Sequence, residues 1–221
     1  MAEGEEHWER FAREDPEFYV AAQRAEWTQA AFYANGEEIL AQYDEWIERA
    51  GTEFAVEIGS GLGRITVHLA ARFDHVHASD ISSEMVRQAQ QRELPDNIGW
   101  TVTDARLPAD DRTADLVFSY NVMQHIPARS EIASYLREIH RVLKRDGLAV
   151  VQYDTALRAT WQRLAQRLPD PLLPRTQRRF IRRYPVPAAE LSSMIEAAGL
   201  RVLEERGKGT REHDVLLSRV A

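Results

Sequence analysis

The chain contains no cysteine among its 221 residues. It therefore has no disulfide framework, no thiolate nucleophile and no thiolate metal site. It also lacks any run that approaches the ~20 apolar residues of a membrane span, and its first residues, MAEGEEHWERFAREDPEF, contain no apolar signal core. These absences predict a cytoplasmic protein without a membrane partner.

The chain also has no excess of basic residues. Lys and Arg number 28 against 35 Asp and Glu, which gives a formal charge of −7, and the basic residues do not gather into a long tail. Non-specific nucleic-acid binding has no electrostatic footprint in such a chain. His75 and His77 have a spacing that metals use, but no third ligand accompanies them. Neither a nucleic-acid partner nor a metal is expected.

Apolar residues make up 44% of the chain, enough for one principal domain. Residues 1–50 show helical patterns, broken near the turn signal Asn35-Gly36, and are predicted to form a helical cap. From residue 51 to 221, short apolar strands alternate with helices, which predicts an α/β fold with a doubly wound, mostly parallel sheet. Strands are predicted at 54–58, 75–79, 98–103, 114–120 and 148–153, and helices near 63–73, 82–92 and 129–145. Gly147, which follows the basic residues Lys144 and Arg145, is predicted to stop the last of these helices.

A proline-bearing insert at about 155–187 interrupts this alternation. A helix is predicted near 155–168, and six arginines lie between 167 and 183. A helix near 187–198 and strands near 200–206 and 212–219 follow. Because their connection is short, these two strands must be antiparallel. The predicted sheet therefore has seven strands and ends in an antiparallel hairpin.

The most informative stretch is VEIGSGLGR at 56–64, a predicted strand that leads into a glycine-rich turn and a helix. Such a turn lets backbone approach a ligand closely, with helix N-terminal N–H groups directed at it. Gly59 and Gly61 fit the dinucleotide pattern GxGxxG, but its sixth position is Arg64 and the third glycine is Gly63. This spacing argues against a dehydrogenase.

Carboxylates end the next two predicted strands. Asp80 lies 21 residues after Gly59, where a carboxylate would bind ribose hydroxyls in either kind of nucleotide site. Asp104, followed by Ala105, ends the third strand, where a carboxylate can accept a hydrogen bond from an adenine amino group. Because parallel strands bring their carboxyl ends to one edge, the three strand ends would line one adenosine-shaped cleft.

With these residues the chain resembles the class I S-adenosylmethionine-dependent methyltransferases of the small-molecule type. The resemblance covers about residues 53–153 through VEIGSGLGR, SDISSEMV, VTDARLP, ADLVFSYNVMQHI and REIHRVLKRDGLAVVQY, in the family's order. It implies S-adenosylmethionine as cofactor and S-adenosylhomocysteine as product. It also implies cofactor contacts from residues of these motifs: Glu57, Gly59, Ser60, Gly61, Gly63, Asp80, Ile81, Met85, Asp104, Ala105 and Asn121.

His125 is the candidate general base for an acceptor that arrives protonated. It follows the fourth predicted strand at the carboxyl edge of the sheet, and imidazole titrates near neutral pH. Hydrogen bonding to the next loop is the alternative role. Methyl transfer to an aligned nucleophile otherwise depends mainly on proximity and orientation.

Two further segments are expected near the site. N-terminal helices commonly lie over the cofactor cleft in this family, so Tyr33, which stands beside Phe32 and close to Trp27, is expected to contact the cofactor; packing in the core is the alternative. In the insert, Arg179 and Arg182 are candidates for binding an anionic group of the acceptor. The alternative is a solvated basic surface that pairs with the acidic N-terminal helix.

The resemblance implies methyl transfer to an oxygen or nitrogen, with carbon as a further option, of a small-molecule metabolite or natural product. A methyltransferase acting on RNA or protein and a catalytically inactive S-adenosylmethionine-binding subunit are the alternatives. A monomer or a homodimer is expected.

Overall fold

The computed structural model describes residues 3–21, 27–103, 105–157 and 181–220 of the chain. Asp104 and Arg179 lie outside these residues. So does most of the predicted insert at about 155–187, with its helix near 155–168.

Seven strands form one sheet: β1 (Phe54–Ile58), β2 (His75–Asp80), β3 (Ile98–Val102), β4 (Ala114–Ser119), β5 (Leu143–Tyr153), β6 (Leu200–Arg206) and β7 (His213–Arg219). Their order across the sheet is β3-β2-β1-β4-β5-β7-β6. Strands β1 to β5 are parallel, whereas β7 pairs antiparallel with both β5 and β6. This confirms the predicted doubly wound sheet and its terminal hairpin.

The described residues form eight α-helices: α1 (Glu3–Glu14), α2 (Pro16–Ala21), α3 (Gln29–Ala41), α4 (Asp44–Ile47), α5 (Thr66–Ala70), α6 (Ser83–Gln90), α7 (Arg129–Val142) and α8 (Ala188–Ala197). A single 3₁₀ turn at Met123–His125 follows β4. Throughout the described ranges, each helix is too short or too polar to cross a membrane.

The central strand β4 is buried along its whole length, as expected for a parallel strand covered on both faces. Leu116 and Phe118 pack in a core with side chains of α3, α4 and α5. Val117 packs in a second core with side chains of α7 and α8. Because successive side chains of a strand point to opposite faces, one strand serves both cores and fixes the sheet between them.

The predicted break at Asn35-Gly36 is wrong, because α3 runs through both residues. A Cβ atom at position 36 would lie 2.0 Å from the carbonyl oxygen of Arg64. Asn35 Oδ1 accepts a hydrogen bond from Arg64 Nη1. The dipeptide that looked like a turn signal therefore allows a helix to approach the glycine turn.

The helix predicted near 129–145 ends three residues early, and β5 begins directly after it at Leu143. Gly147, predicted as the residue that stops this helix, lies within β5. A Cβ atom there would lie 2.7 Å from the carbonyl oxygen of Ala114 in β4. Lys144 Nζ donates to a buried aspartate of β4 at 2.9 Å. These contacts with β4 hold the segment in the sheet.

Candidate functional site

A cavity of about 390 Å³ lies at the carboxyl edge of the sheet. The strand order reverses between β1 and β4, and ligands of doubly wound sheets bind in the crevice at such a reversal. The cavity volume suits a small-molecule ligand. Its walls bring together ten of the predicted site residues: Glu57, Gly59, Ser60, Gly61, Asp80, Ile81, Met85, Ala105, Asn121 and His125.

The glycine turn presents backbone to this cavity. Gly59 has φ 73° and Gly61 has φ 54°, values that side chains disfavour. A Cβ atom on Gly59 would lie 2.2 Å from Cγ2 of Val122, and one on Gly61 would lie 2.8 Å from Cγ2 of Val20. The turn thus fits between the residues that follow β4 and those of α2 only because it has no side chains there.

Asp80 ends β2 with its carboxylate held by two backbone groups. Oδ2 accepts a hydrogen bond from Gly61 N at 2.8 Å, and Oδ1 accepts one from Ser82 N at 2.9 Å. Burial raises the pKa of Asp80, while these hydrogen bonds favour its ionised form. A carboxylate has further lone pairs, so this fixed group can still accept from hydroxyl donors of a ligand.

Glu57 in β1 is 4% exposed. Its Oε2 accepts a hydrogen bond from Thr66 Oγ1 at 2.5 Å. Burial raises the pKa of Glu57 to about 7, against the opposing effects of the Thr66 hydrogen bond and of Arg64. The folded protein therefore holds a proton on Glu57 at pH values where the unfolded chain has lost it.

The Glu57→Gln variant should make stability less dependent on pH. Because the folded pKa lies above the unfolded one, this group destabilises the fold progressively as pH rises from about 4.5 to about 7. We expect the free energy of unfolding of the wild type, relative to that of the variant, to fall by ~2 kcal/mol between pH 5 and pH 7. Chemical denaturation at both pH values measures it, with Glu37→Gln on the exposed face of α3 as control. Equal pH dependence of wild type and Glu57→Gln would contradict the prediction.

Two residues at strand ends adopt left-handed backbone conformations without being glycine. Ala105, which follows β3, has φ 107°, and Asn121, which follows β4, has φ 60°. Both line the cavity. Asn121 Oδ1 accepts a hydrogen bond from Gln124 Nε2 at 2.6 Å. Such conformations cost free energy and concentrate at functional sites, where the surrounding structure maintains them.

His125 lies at the end of the 3₁₀ turn and is covered by the N-terminal helices. Its ring makes a T-shaped contact with Trp8 of α1, with centroids 6.1 Å apart. Trp8 lines the cavity together with Tyr19 and Val20 of α2. Glu9, also on α1, accepts a hydrogen bond from the backbone N of Glu84 in α6 at 3.1 Å. Helices α1 and α2 therefore cover this edge of the sheet, and α1 packs against His125.

Three predicted residues within the described ranges do not line the cavity: Tyr33, Gly63 and Arg182. On α3, Phe32 is the fully buried residue, and the neighbouring Tyr33 packs beside it and near Met85 of α6 instead of facing the cavity. A Cβ atom on Gly63 would lie 2.9 Å from Trp100, so this glycine serves packing. Arg182 Nε donates to the Tyr184 hydroxyl at 3.1 Å.

The described ranges hold no group of three or more His, Cys, Asp or Glu arranged for a metal.

The cavity also contains residues that we did not predict: Trp8, Tyr19, Val20, Arg64, Tyr120, Glu131 and Tyr135. Arg64 directly follows the glycine turn, and Trp8 belongs to an aromatic stripe of an amphipathic helix, so both carried a sequence signal. Glu131 and Tyr135 lie one turn apart on α7 and have no signal of their own, because helical spacing of this kind is ordinary core patterning.

Comparison with known proteins agrees with this geometry. The family model described as "Methyltransferase domain" matches residues 56–151. The trans-aconitate 2-methyltransferase of Azoarcus sp. is 33% identical over 118 residues, which cover 52% of this chain and 45% of that protein. The bifunctional biotin biosynthesis protein BioHC of Cellvibrio japonicus is 35% identical over 97 residues, 43% of this chain and 18% of that protein. The chain thus spans less than half the length of both relatives.

Among solved structures, the magnesium protoporphyrin IX methyltransferase of Synechocystis, determined with bound S-adenosylhomocysteine, superposes with a TM-score of 0.67. The alignment covers 98% of this chain and 100% of that one at 15% identity, so it shows a common fold. The residues matched by the family model include the glycine turn, Asp80 and His125, which all line the cavity. Residues 56–151 of the chain therefore form a methyltransferase domain, with S-adenosylmethionine as its cofactor, and the sheet has the fold of the solved S-adenosylmethionine-dependent methyltransferases.

Proposed function

We propose that this chain transfers the methyl group of S-adenosylmethionine to an oxygen or nitrogen atom of a small-molecule metabolite or natural product, with carbon as a less favoured acceptor. The observation that carries the proposal is the single cavity that joins Asp80 and the glycine turn to His125, Glu131 and Tyr135. Cofactor and acceptor can meet there without a separate recognition domain. Enclosure by α1 and α2 favours an acceptor small enough to enter.

The residues of the cavity fit the cofactor. The absence of a Cβ on Gly59 and Gly61 leaves room for close backbone approach, and Ser60 Oγ is buried without a hydrogen-bond partner among the described residues. Asp80, fixed by backbone N–H groups, would accept hydrogen bonds from the ribose hydroxyls. Ile81 and Ala105 would contact the adenine ring. When bound, S-adenosylmethionine supplies an electrophilic methyl group on a sulfonium sulfur.

The protein would then contribute to catalysis mainly by positioning the two reactants. The strand ends and the strained Asn121 hold fixed places around the cavity, and an aligned pair of reactants gains several kcal/mol from orientation. Trp8, Tyr19 and Val20 cover the site and exclude water. His125 would take the proton of an acceptor that arrives protonated.

A small acceptor agrees with the names of two similar proteins. One acts on trans-aconitate and the other on magnesium protoporphyrin IX, both of which are small organic molecules. We further propose a cytoplasmic location, a monomer or homodimer, and a division into a helical cap (1–50), a cofactor-binding domain (51–221) and an insert at about 155–187. The contribution of Asp104, Tyr33 and Arg179 to binding stays a prediction.

Of the two arginines predicted to bind an anionic acceptor, Arg182 is the one that the structure describes, and it lies outside the cavity lining, so its role in selecting the acceptor stays a prediction. Replacing Arg182 with glutamate should raise the KM for an anionic acceptor by about 10-fold, or ~1.4 kcal/mol, and leave the KM for a neutral acceptor unchanged. Steady-state kinetics with both acceptor types measures it. Arg137→Glu, an exposed charge reversal on α7, is the control, and equal KM values for wild type and Arg182→Glu would exclude this role.

The proposed function is tested by two measurements on the full chain. Calorimetric titration with S-adenosylhomocysteine examines the cofactor site, and formation of S-adenosylhomocysteine from S-adenosylmethionine with a panel of metabolites examines turnover. We expect binding and turnover with at least one small molecule. Turnover only with RNA or protein would favour the macromolecular alternative, and binding without turnover on any substrate would favour an inactive cofactor-binding subunit.

A further inference from the structure

The first residue after β5 carries a buried carboxylate that pairs with a distant arginine. Asp154 lies at the carboxyl edge of the sheet and is 1% exposed. Its Oδ2 is 3.1 Å from Nε of Arg183, whose side chain is 17% exposed. Its Oδ1 accepts a hydrogen bond from Ala156 N at 3.1 Å, and its carbonyl oxygen accepts one from Val186 N at 2.8 Å. The pair lies outside the cavity lining, so it acts on neither reactant directly.

A buried ion pair of this kind contributes little net stability. Removing both charges from water costs free energy, which their attraction offsets only when the geometry is good. Burial accordingly lowers the pKa of Arg183, whereas the charge of Asp154 acts in the opposite direction. An attested use of such pairs is to fix one arrangement of the segments that carry them. Here the pair joins the end of β5 to the residues that follow the predicted insert.

Those residues, 181–187, lie against the 3₁₀ turn that contains His125. The backbone N–H of Tyr184 donates to the carbonyl oxygen of Gln124 in this turn at 2.6 Å. Just beyond the turn, Nη2 of Arg129 donates to the carbonyl oxygen of Pro185 at 2.6 Å. The segment is therefore bound both to the turn and to the start of α7.

Gln124, which accepts the hydrogen bond from Tyr184, stands between two residues of the cavity wall. Its side chain is buried, and Nε2 donates to Asn121 Oδ1 at 2.6 Å. His125 is the next residue along the chain, and its backbone N–H donates to the carbonyl oxygen of Val122 at 2.9 Å. Asn121 and His125 line the cavity. A shift of Gln124 would therefore displace groups that face the acceptor.

We propose that the Asp154–Arg183 ion pair positions His125 for removal of the proton of the acceptor. The pair fixes Arg183, and the adjoining Tyr184 holds the carbonyl oxygen of Gln124. Because His125 follows Gln124 in the same turn, the place of its imidazole depends on this hydrogen bond. The inference rests on the function proposed above, since it gives the pair a task in that reaction. Asp154 and Arg183 are positioning residues.

A double-mutant cycle on kcat tests the inference in the full chain. With an acceptor that must lose a proton, Arg183→Gln should lower kcat by about 10-fold to 100-fold, because misplacing a catalytic group by ~1 Å costs on the order of 100-fold. In the His125→Asn background the same substitution should change kcat by less than about 2-fold, since the group that it positions is gone. The KM for S-adenosylmethionine and the Kd for S-adenosylhomocysteine should stay unchanged.

The position of His125 can also be followed without turnover. The Trp8 ring lies edge-on to the imidazole with centroids 6.1 Å apart, so its ring current shifts the NMR resonances of the His125 ring protons. Comparison with His125→Asn assigns these resonances. In Arg183→Gln they should move toward the values of an unpacked histidine, whereas those of His75, at the start of β2, should not move.

Two further variants complete the test. Arg183→Lys keeps the charge, but one ammonium group cannot serve both Asp154 and the Arg211 carbonyl oxygen that Nη2 of Arg183 now reaches. Its loss of kcat should be smaller than that of Arg183→Gln, and it gives a result if the glutamine variant does not fold. Lys208→Gln is the control, because it breaks an exposed ion pair with Glu205 in the terminal hairpin. It should leave kcat and the imidazole resonances unchanged.

An equal fall in kcat in the wild-type and His125→Asn backgrounds would overturn the inference, because it is the result of a purely structural role. Unchanged kcat in Arg183→Gln, or unmoved resonances of His125, would overturn it as well. A wild type without turnover would instead contradict the proposed function, and the resonances would still decide whether the ion pair fixes His125.

Discussion

Replacing His125 with asparagine is expected to lower kcat by about 100-fold to 10,000-fold with an acceptor that must lose a proton, the range of general-base catalysis. His125 lines the cavity at the end of the 3₁₀ turn, and the Trp8 ring packs against it from α1. Asparagine keeps a polar side chain of similar reach but cannot take a proton at neutral pH. The KM for S-adenosylmethionine should change little.

The fall in kcat of His125→Asn should depend on whether the acceptor must lose a proton. A carboxylate acceptor is already ionised near neutral pH, so its methylation should fall only a few-fold in His125→Asn. Steady-state kinetics across pH, with one acceptor of each kind, measures the difference. His75→Asn, at the exposed start of β2, is the control. Unchanged kcat with a protonated acceptor would leave His125 only the alternative of hydrogen bonding to its loop.

Replacing Gly36 with alanine is expected to destabilise the fold by about 3 kcal/mol or more, toward the upper end of the cost of overpacking. A Cβ atom at this position would lie 2.0 Å from a backbone oxygen of Arg64, which no side-chain rotation can relieve. Helix α3 must move to make room, and Asn35 moves with it. Denaturant unfolding measures the loss.

A loss of stability would identify a steric effect, because alanine normally stabilises the interior of a helix relative to glycine by roughly 0.5–1 kcal/mol. Ala34→Gly on the exposed face of the same helix is the matched control and should cost about 1 kcal/mol. A Gly36→Ala chain as stable as the wild type would show that the approach of α3 to the glycine turn can relax without cost.

The sheet was largely predictable because its signals are local and repeated. The bounds predicted for β1 and β6 match the structure, and the terminal hairpin followed from a short connection. The errors occurred where glycine had two possible meanings. Gly36 and Gly147 were interpreted as turn and helix-stop signals, but each permits close contact with backbone from elsewhere in the chain.

The residues of the candidate site also divide into those that could be predicted from the sequence and those that could not. Asp80 and Ala105 were predicted because each stands at the end of a strand, and the ends of parallel strands meet at one edge whatever the details of packing. Asn121 was predicted from the family resemblance. Tyr33 and Phe32 were harder to tell apart, because adjacent residues of a helix face different directions. Phe32 is buried in the structure and Tyr33 packs beside it, away from the cavity.

Strand–helix alternation, the glycine turn and the carboxylates at strand ends were therefore sufficient to infer the fold and the edge of the sheet that carries the cavity, whereas the class of enzyme was inferred from the resemblance of the motifs to a known family. The residues that enclose this edge emerged from the folded molecule alone. Trp8 of α1 and Tyr135 of α7 come from helices far apart in the chain, and their positions around the cavity follow from how those helices rotate and pack. Patterns of neighbouring residues carry no information about such distant contacts.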